Sequence, residues 1–253
     1  TGQADIGDAC LAYQPGRFPV ANALGLPLKI PNAKAASHTL WDLYQKYQPE
    51  GFKNLKVLYM YTNTPSNLQT TVPVRTIDDL QGLTIRASGG AGQILKAWGA
   101  NYVGLPQSDV PEALQKNVIK GLFTSLEVMM DMNYADYCKY ITITETVLYP
   151  FAVVMNMDTW NNLPKDVQKV FDDMRVEQSE WVGSYIDNHV KKAVGWSVLN
   201  RGVEAIQLSE EQKKIFVERL EPIIADAIAN WEAKNIPYRK IIEDIKTLSE
   251  KYK

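Results

Sequence analysis

Arg86 is the residue whose type and position most clearly suggest chemistry, because it ends the apolar stretch that begins at Leu83. A guanidinium at the carboxyl end of a buried strand is costly unless it is paired, and its planar N–H groups suit a carboxylate. The pattern predicts either an anion-binding site or a structural salt bridge. Asn156 ends another apolar stretch, 151–155, and its amide either donates to the same anion or caps the turn before Trp160.

A glycine-rich turn, Ser88-Gly89-Gly90-Ala91-Gly92, follows Arg86 almost directly. The free N–H groups of such a turn can hold an anion. The string does not match the GxGxxG pattern of dinucleotide sites. It therefore predicts a turn whose backbone, with Ser88, approaches a ligand, or a turn that simply needs positive φ angles.

Residues and motifs typical of hydrolases and metal sites are scarce in this sequence. His38 and His189 are the two histidines, and we interpret both as ordinary helix-face residues. The sequence contains no HExxH, CxxC, GxSxG or P-loop string, so metal-dependent hydrolysis and serine-hydrolase chemistry lose their usual residues. Cys10 and Cys138 are either free thiols or one disulfide, and their spacing requires neither.

The composition of the 253-residue chain excludes several classes of protein. With 45% hydrophobic and 22% charged residues the chain can bury a large core and is not disordered. The balance of 27 basic and 29 acidic residues makes nucleic acid a poor partner. The longest apolar runs are far shorter than the ~20 residues of a membrane-spanning helix. Residues 1–5 do not resemble a signal peptide, which leaves a cytoplasmic protein or a sequence that begins after processing.

Short apolar strands alternate with amphipathic helices, a pattern typical of an α/β protein with a largely parallel sheet. Thr76, Ser108 and Leu163 mark three helix starts. The strands are predicted at 55–61, 83–87, 102–105, 119–123 and 151–155.

The last third of the chain is predicted to be helical. An apolar helical stripe runs from about Pro164 to about Gly202, which predicts a helix of about 50 Å that can brace two lobes. Ser209 begins another helix that reaches toward Trp231 and bends at Pro222. A final helix is predicted from residue 238 onward.

Several motifs, in this order, resemble the substrate-binding proteins of TRAP transporters, the DctP-like family. They are the segments 2–7 (GQADIG), 18–27 (FP…LP), 76–86 (TIDDLQGLTIR), 98–103 (WGANYV), 107–115 (QSDVPEALQ), 117–121 (NVIKG), 151–156 (FAVVMN) and 163–168 (LPKDVQ). These motifs span nearly the whole chain. The resemblance implies a two-lobed α/β fold, similar to periplasmic binding proteins, with a hinge and a long helix that spans both lobes.

The resemblance also implies how the chain divides. The first lobe would contain residues 1–64 and about 182–220, and the second lobe residues 65–181 and the C-terminal helices. The family has a further strand, helix and strand before the position of Thr1, so we expect the first lobe to be incomplete in this sequence. Lys120 stands where the family usually has aspartate, which we interpret as a surface change.

What the resemblance implies about function is a periplasmic receptor that closes on a small organic acid and delivers it to a TRAP permease in the membrane, without catalysis or a cofactor. Some keto-acid-binding relatives use a metal, which the sequence leaves open. Arg86 would bind the ligand carboxylate and Asn156 would assist. Further ligand-binding residues would be Gln107, Thr124, Ser125, Glu127, Cys10, Tyr13 and Ser88.

One segment of the sequence narrows the class of acid that we expect as the ligand. Some relatives have a second arginine shortly after the strand that here ends at Tyr61, whereas this chain has TNTPS at 62–66, which disfavours a dicarboxylate or sialic acid.

An α/β enzyme with Arg86 as substrate clamp and Glu127 or Glu145 as base is the alternative, although a base–nucleophile or cofactor motif is missing. The same receptor serving a sensor kinase is a third interpretation.

Overall fold

A computed structural model describes residues 3–14 and 16–252. The strands are β1 (Ile6–Cys10), β2 (Leu55–Thr62), β3 (Asn67–Thr70), β4 (Thr84–Arg86), β5 (Asn101–Val103), β6 (Gly121–Thr124), β7 (Tyr140–Ile143), β8 (Pro150–Asn156) and β9 (Glu204–Gln207). The helices are α1 (Pro19–Asn22), α2 (Ala33–Tyr47), α3 (Ala91–Ala97), α4 (Val110–Gln115), α5 (Val128–Asp131), α6 (Met157–Asn162), α7 (Lys165–Arg201), α8 (Glu210–Glu218), α9 (Glu221–Glu232) and α10 (Tyr238–Lys251). Short 3₁₀ turns occupy Leu11–Tyr13, Ala23–Gly25, Glu50–Phe52, Ile77–Leu80, Gln107–Asp109 and Tyr134–Asp136.

The strands of the described part of the chain form two sheets. The first has the order β1-β8-β2 and is antiparallel. The second has the order β5-β4-β6-β3-β7-β9. In it β4 runs parallel to β5 and β6, and β7 runs parallel to β9, whereas β3 is antiparallel to both of its neighbours. The prediction of a largely parallel sheet is therefore wrong for the first sheet, and the second sheet is mixed, because an apolar pattern does not encode the direction in which a strand runs.

The two sheets pack against different hydrophobic clusters. The first sheet shares a cluster with α2 and α10, in which Leu40, Met60 and Ile241 are buried. The second sheet is covered on both faces, because successive residues of a strand point to opposite sides. Phe123 of β6 belongs to a cluster with α3 and α8, whereas the preceding Leu122 packs with residues of α4, α5 and α7.

The long helix is confirmed as α7, with 37 residues and a length of about 55 Å. Its middle packs against α2, where Gly183 lies so close that an added Cβ would be 2.7 Å from the Cα of Lys34. Asp187 accepts hydrogen bonds from the N–H groups of Ala33 and Lys34 at 2.8 and 3.0 Å, and so caps α2. The last part of α7, including Val190, packs against the second sheet. On the first sheet, the N–H of Met60 in β2 donates to the Oγ of Ser179 at 3.4 Å, so the helix contacts both sheets.

The C-terminal region differs from its prediction in two respects. A break replaces the bend at Pro222, because the ring stands in the first turn of α9, where its missing N–H is tolerated. The lobe boundaries remain a prediction, but the packing favours a different place for two C-terminal parts, which are residues 204–218 and α10. Ile241 of α10 packs with the first sheet, whereas Phe216 of α8 and strand β9 belong to the second.

Two segments, 63–66 and 144–149, connect the sheets side by side, and we call them the crossover pair. The N–H of Ser66 donates to the carbonyl of Val147 at 2.7 Å, and the N–H of Thr146 donates to the carbonyl of Ser66 at 3.1 Å. The Asn63 Oδ1 accepts a hydrogen bond from the N–H of Tyr149 at 2.7 Å. Backbone and side chain thus tie the two connections together.

Candidate ligand-binding site

Arg86 ends β4, the strand that lies between β5 and β6 in the second sheet. Its side chain is buried, with 3% of its surface exposed. The Nε and Nη2 groups donate to the carbonyl oxygen of Leu105 at 3.1 and 3.0 Å. No carboxylate among residues 3–14 and 16–252 forms an ion pair with it. The structural salt bridge that the sequence left open is therefore not formed.

Hydroxyl groups lie along the same edge of the second sheet. Strands β4 and β6 are parallel, with Arg86 opposite Leu122, so their carboxyl ends meet. Ser88 follows the first strand, Thr124 ends the second, and Ser125 comes directly after it. The structure thus brings four of the predicted site residues to one edge, which is where ligands bind in open α/β sheets.

Ser125 connects this edge to the crossover pair. Its Oγ lies 2.9 Å from the Oγ1 of Thr64 and also donates to the carboxylate of Glu127. Burial raises the pKa of Glu127, and the hydrogen bond from Ser125 only partly offsets this shift. Ser125 thus links the crossover pair to the carboxylate of Glu127 by two hydrogen bonds.

The first sheet contributes Cys10 and Tyr13 from the opposite side. Burial raises the pKa of the Cys10 thiol to about 11, and the positive charge of Arg86 acts weakly in the other direction. Cys138 is buried in a different cluster, and the structure keeps both thiols free. Tyr13 remains 58% exposed, so its ring is accessible to a ligand.

Tyr149 lies on the crossover pair, and no pattern in the sequence marks it as a site residue. Its hydroxyl donates to the carbonyl of Ser88 at 3.3 Å. Burial raises the pKa of Tyr149, whereas the charge of Arg86 lowers it. Cys10 and Tyr13 also act electrostatically on this phenol. Tyr149 therefore stands where the two sheets and the crossover pair meet.

The side chains of Gln107 and Asn156 form hydrogen bonds with groups other than Arg86. The Nε2 of Gln107 donates to the hydroxyl of Tyr134 at 2.9 Å. The Oδ1 of Asn156 accepts from the N–H groups of Asp158 and Thr159 at 2.8 and 3.2 Å, and so caps α6. On β8 it is five residues from Phe151, which pairs with Cys10, so about 17 Å separate it from the cleft end of the strand. The structure does not bring Asn156 to Arg86.

The glycine-rich turn makes a close contact with the first sheet. Gly89 has φ +55°, and an added Cβ would lie 2.8 Å from the carbonyl oxygen of Ala12. The turn therefore has the positive φ that one interpretation predicts. Its backbone also approaches another group closely, and that group is the 3₁₀ turn after β1. A cavity of about 740 Å³ borders this contact and is lined in part by Ala12, Gly90 and Tyr149.

Other candidates from the sequence lie elsewhere. His189 contacts both carboxylate oxygens of Asp131 at 2.9 Å, and His38 stacks on Tyr252 with 4.6 Å between ring centroids. Within the described residues, no group of three His, Cys, Asp or Glu side chains is arranged to hold a metal ion. None of the helices in that part of the chain has both the length and the hydropathy to cross a bilayer.

The chain is similar to several known proteins. A TRAP periplasmic solute-binding protein from Desulfovibrio salexigens, crystallised as an open complex with the C-terminus of a symmetry mate in its ligand-binding site, is 47% identical. That match covers 100% of this chain and 79% of the other, with a TM-score of 0.88. A marine metagenome TRAP solute-binding protein specific for aromatic acid ligands is 25% identical, with a TM-score of 0.93 over 99% of this chain and 81% of its own.

Sequence relatives agree with the structural ones. The 2,3-diketo-L-gulonate-binding periplasmic protein YiaO of Escherichia coli is 24% identical over 91% of this chain and 71% of its own length. The chain covers 52% of the C4-dicarboxylate-binding protein DctB of Bacillus subtilis. The two solved solute-binding protein structures confirm the two-lobed α/β fold. Residues 1–230 match the family described as bacterial extracellular solute-binding protein, family 7, and the chain belongs to this DctP family.

Proposed function

We propose that the chain is the solute receptor of a TRAP transporter and that Arg86 binds the carboxylate of a small organic acid between the lobes. The supporting observation is a guanidinium that is 3% exposed and has no acidic partner in the described residues. Its Nε and Nη2 are held by Leu105, and Nη1 forms no hydrogen bond within 3–14 and 16–252. The edge formed by Nη1 and Nη2 suits the two oxygens of a carboxylate.

The ligand we propose carries one carboxylate and an uncharged tail. Arg86 is the one cation among the predicted site residues, and the segment 62–66 supplies no second arginine. Tyr13 and Tyr149 offer ring faces and phenol groups to the tail, and Ser88 and Thr124 offer hydroxyls. An aromatic or keto acid fits this set. The relatives whose names mention aromatic acids and a diketo sugar acid are in agreement.

Binding would close the two lobes. The crossover pair and α7 connect the sheets, so a ligand that contacts both sides shifts the population toward the closed arrangement. The Gly89–Ala12 contact lies beside Arg86 and would tighten on closure. We place the protein in the periplasm and the TRAP permease as the partner that receives the acid, because both are properties of the family.

Native mass spectrometry of the freshly purified protein tests this proposal. We expect an adduct with the mass of a small organic acid, which is lost on denaturation and restored when the acid is added to refolded protein. Incubation should return the acid with unchanged mass, whereas an enzyme that uses Glu127 as base would convert it. An adduct without a carboxylate, or no adduct and no thermal shift with benzoate, mandelate, orotate or pyruvate, would contradict the proposal.

A further inference from the structure

The segment 104–107 holds Arg86 in place although most of it faces solvent. Gly104 and Pro106 are exposed, and the Leu105 carbonyl between them accepts both hydrogen bonds of the guanidinium. A surface segment with exposed glycine and proline is a poor anchor by itself. Something else must fix the carbonyl if the direction of the guanidinium is to be defined.

Tyr134 provides the second attachment of this segment. Its hydroxyl accepts a hydrogen bond from the Nε2 of Gln107 at 2.9 Å and donates to the carbonyl of Gln107 at 3.3 Å. The ring is 1% exposed and packs in the cluster that also contains Met129 and Ile141. A rigid, buried phenol thus grips both the side chain and the backbone of Gln107.

We infer that Tyr134 is a positioning residue for Arg86: its hydroxyl fixes the segment 104–107, whose Leu105 carbonyl in turn orients the guanidinium at the cleft edge. The charge of Arg86 acts on the phenol of Tyr134, which is in agreement with their proximity. The consequence for ligand binding rests on the proposed function. The positioning itself is a property of the ligand-free protein.

Exchange of the Arg86 Nε–H with water tests the inference without a ligand. In ¹⁵N-labelled protein this proton is protected by its bond to Leu105, and its signal is assigned by its loss in Arg86→Lys. Tyr134→Phe should speed the exchange about threefold to tenfold, the factor expected for one hydrogen bond of ordinary strength. Tyr137→Phe, at the residue directly after the same 3₁₀ turn but 37% exposed, should leave the rate unchanged.

A double-mutant cycle separates positioning from a general loss of stability. Gln107→Leu removes the side-chain bond but leaves the bond from the Tyr134 hydroxyl to the Gln107 carbonyl. It should therefore speed exchange less than Tyr134→Phe does, and the double variant should exchange no faster than Tyr134→Phe alone. Additive effects would overturn the inference, as would unchanged exchange in Tyr134→Phe or equal acceleration in Tyr137→Phe. These outcomes do not depend on whether Arg86 binds an acid, which the mass spectrometry decides separately.

Discussion

Arg86 and Asn156 carry the same sequence signal and have different surroundings. Each is a polar residue at the carboxyl end of an apolar strand. Arg86 ends a strand of the second sheet at the edge that faces the first sheet, and its charge has no acidic partner in the described part of the chain. Asn156 ends β8, the central strand of the first sheet, at the end away from Phe151, and caps α6. The edge at which a strand ends, more than the break in its apolar run, therefore decides which groups a polar residue can reach.

Arg86→Ala should have the largest effect. Truncating one partner of a desolvated charge pair costs roughly 2–5 kcal/mol, so the thermal stabilisation by the acid should disappear while the fold persists. Arg75→Ala is the matched control, because Arg75 is an exposed arginine that pairs with Glu204. Calorimetric titration that shows equal affinity in Arg86→Ala and the wild type would count against the assignment.

Gly89→Ala should come second. The positive φ and the contact with the Ala12 carbonyl both oppose a Cβ, and we expect a loss of about 1–3 kcal/mol in the closed arrangement. Gly90→Ala is the control, because nothing lies within 4 Å of its added Cβ. Small-angle scattering with saturating acid should show compaction in Gly90→Ala and reduced compaction in Gly89→Ala. Full compaction in both variants would show that this contact is not part of closure.

Asn156→Ala should affect stability and leave binding unchanged. Loss of the cap of α6 costs about 1 kcal/mol, which urea unfolding measures. The dissociation constant of the acid should equal that of the wild type and of Asn161→Ala, an exposed position on the same helix. A tenfold weaker affinity in Asn156→Ala alone would restore the residue to the site.

Glu127→Gln should have the smallest effect, visible as a change with pH. The pKa of Glu127 is raised above its ordinary value of 4.5, chiefly by burial. The folded state therefore favours the protonated acid, so this stabilisation is present at low pH and is lost as pH rises above about 4.5 through the folded value. Relative to Glu127→Gln, the wild type should lose stability as the pH rises above about 4.5, measured by urea unfolding. A constant difference above that pH would contradict the shift.

The sequence predicted the elements with strong patterns and missed those without. The apolar stripe of α7 and the strands β2 and β8 were found almost to the residue, because burial of one or both faces leaves a clear period. Strand β3 (NLQT) is fully buried but polar, so no apolar signal marks it. The direction of β3 is equally invisible, since a hydrophobic pattern is the same whichever way a strand runs.

The sequence predicted part of the site. Each correct or missed residue has its own physical reason. Arg86 was found because a guanidinium after an apolar strand is rare and costly. Tyr149 and Tyr134 were missed because tyrosine is ordinary core material, and only the fold shows that their hydroxyls face the surroundings of Arg86. Asn156 was included because the family resemblance and the strand end pointed the same way, whereas the register of β8 places it at the other end of the sheet.

The most direct test is a crystal structure of the complex with the acid that mass spectrometry identifies. We expect the carboxylate carbon within about 4 Å of the Arg86 Cζ, with both oxygens on the Nη1–Nη2 edge and the Leu105 carbonyl still bound to Nε. A carboxylate held elsewhere, with the guanidinium of Arg86 unchanged and unoccupied, would contradict the account.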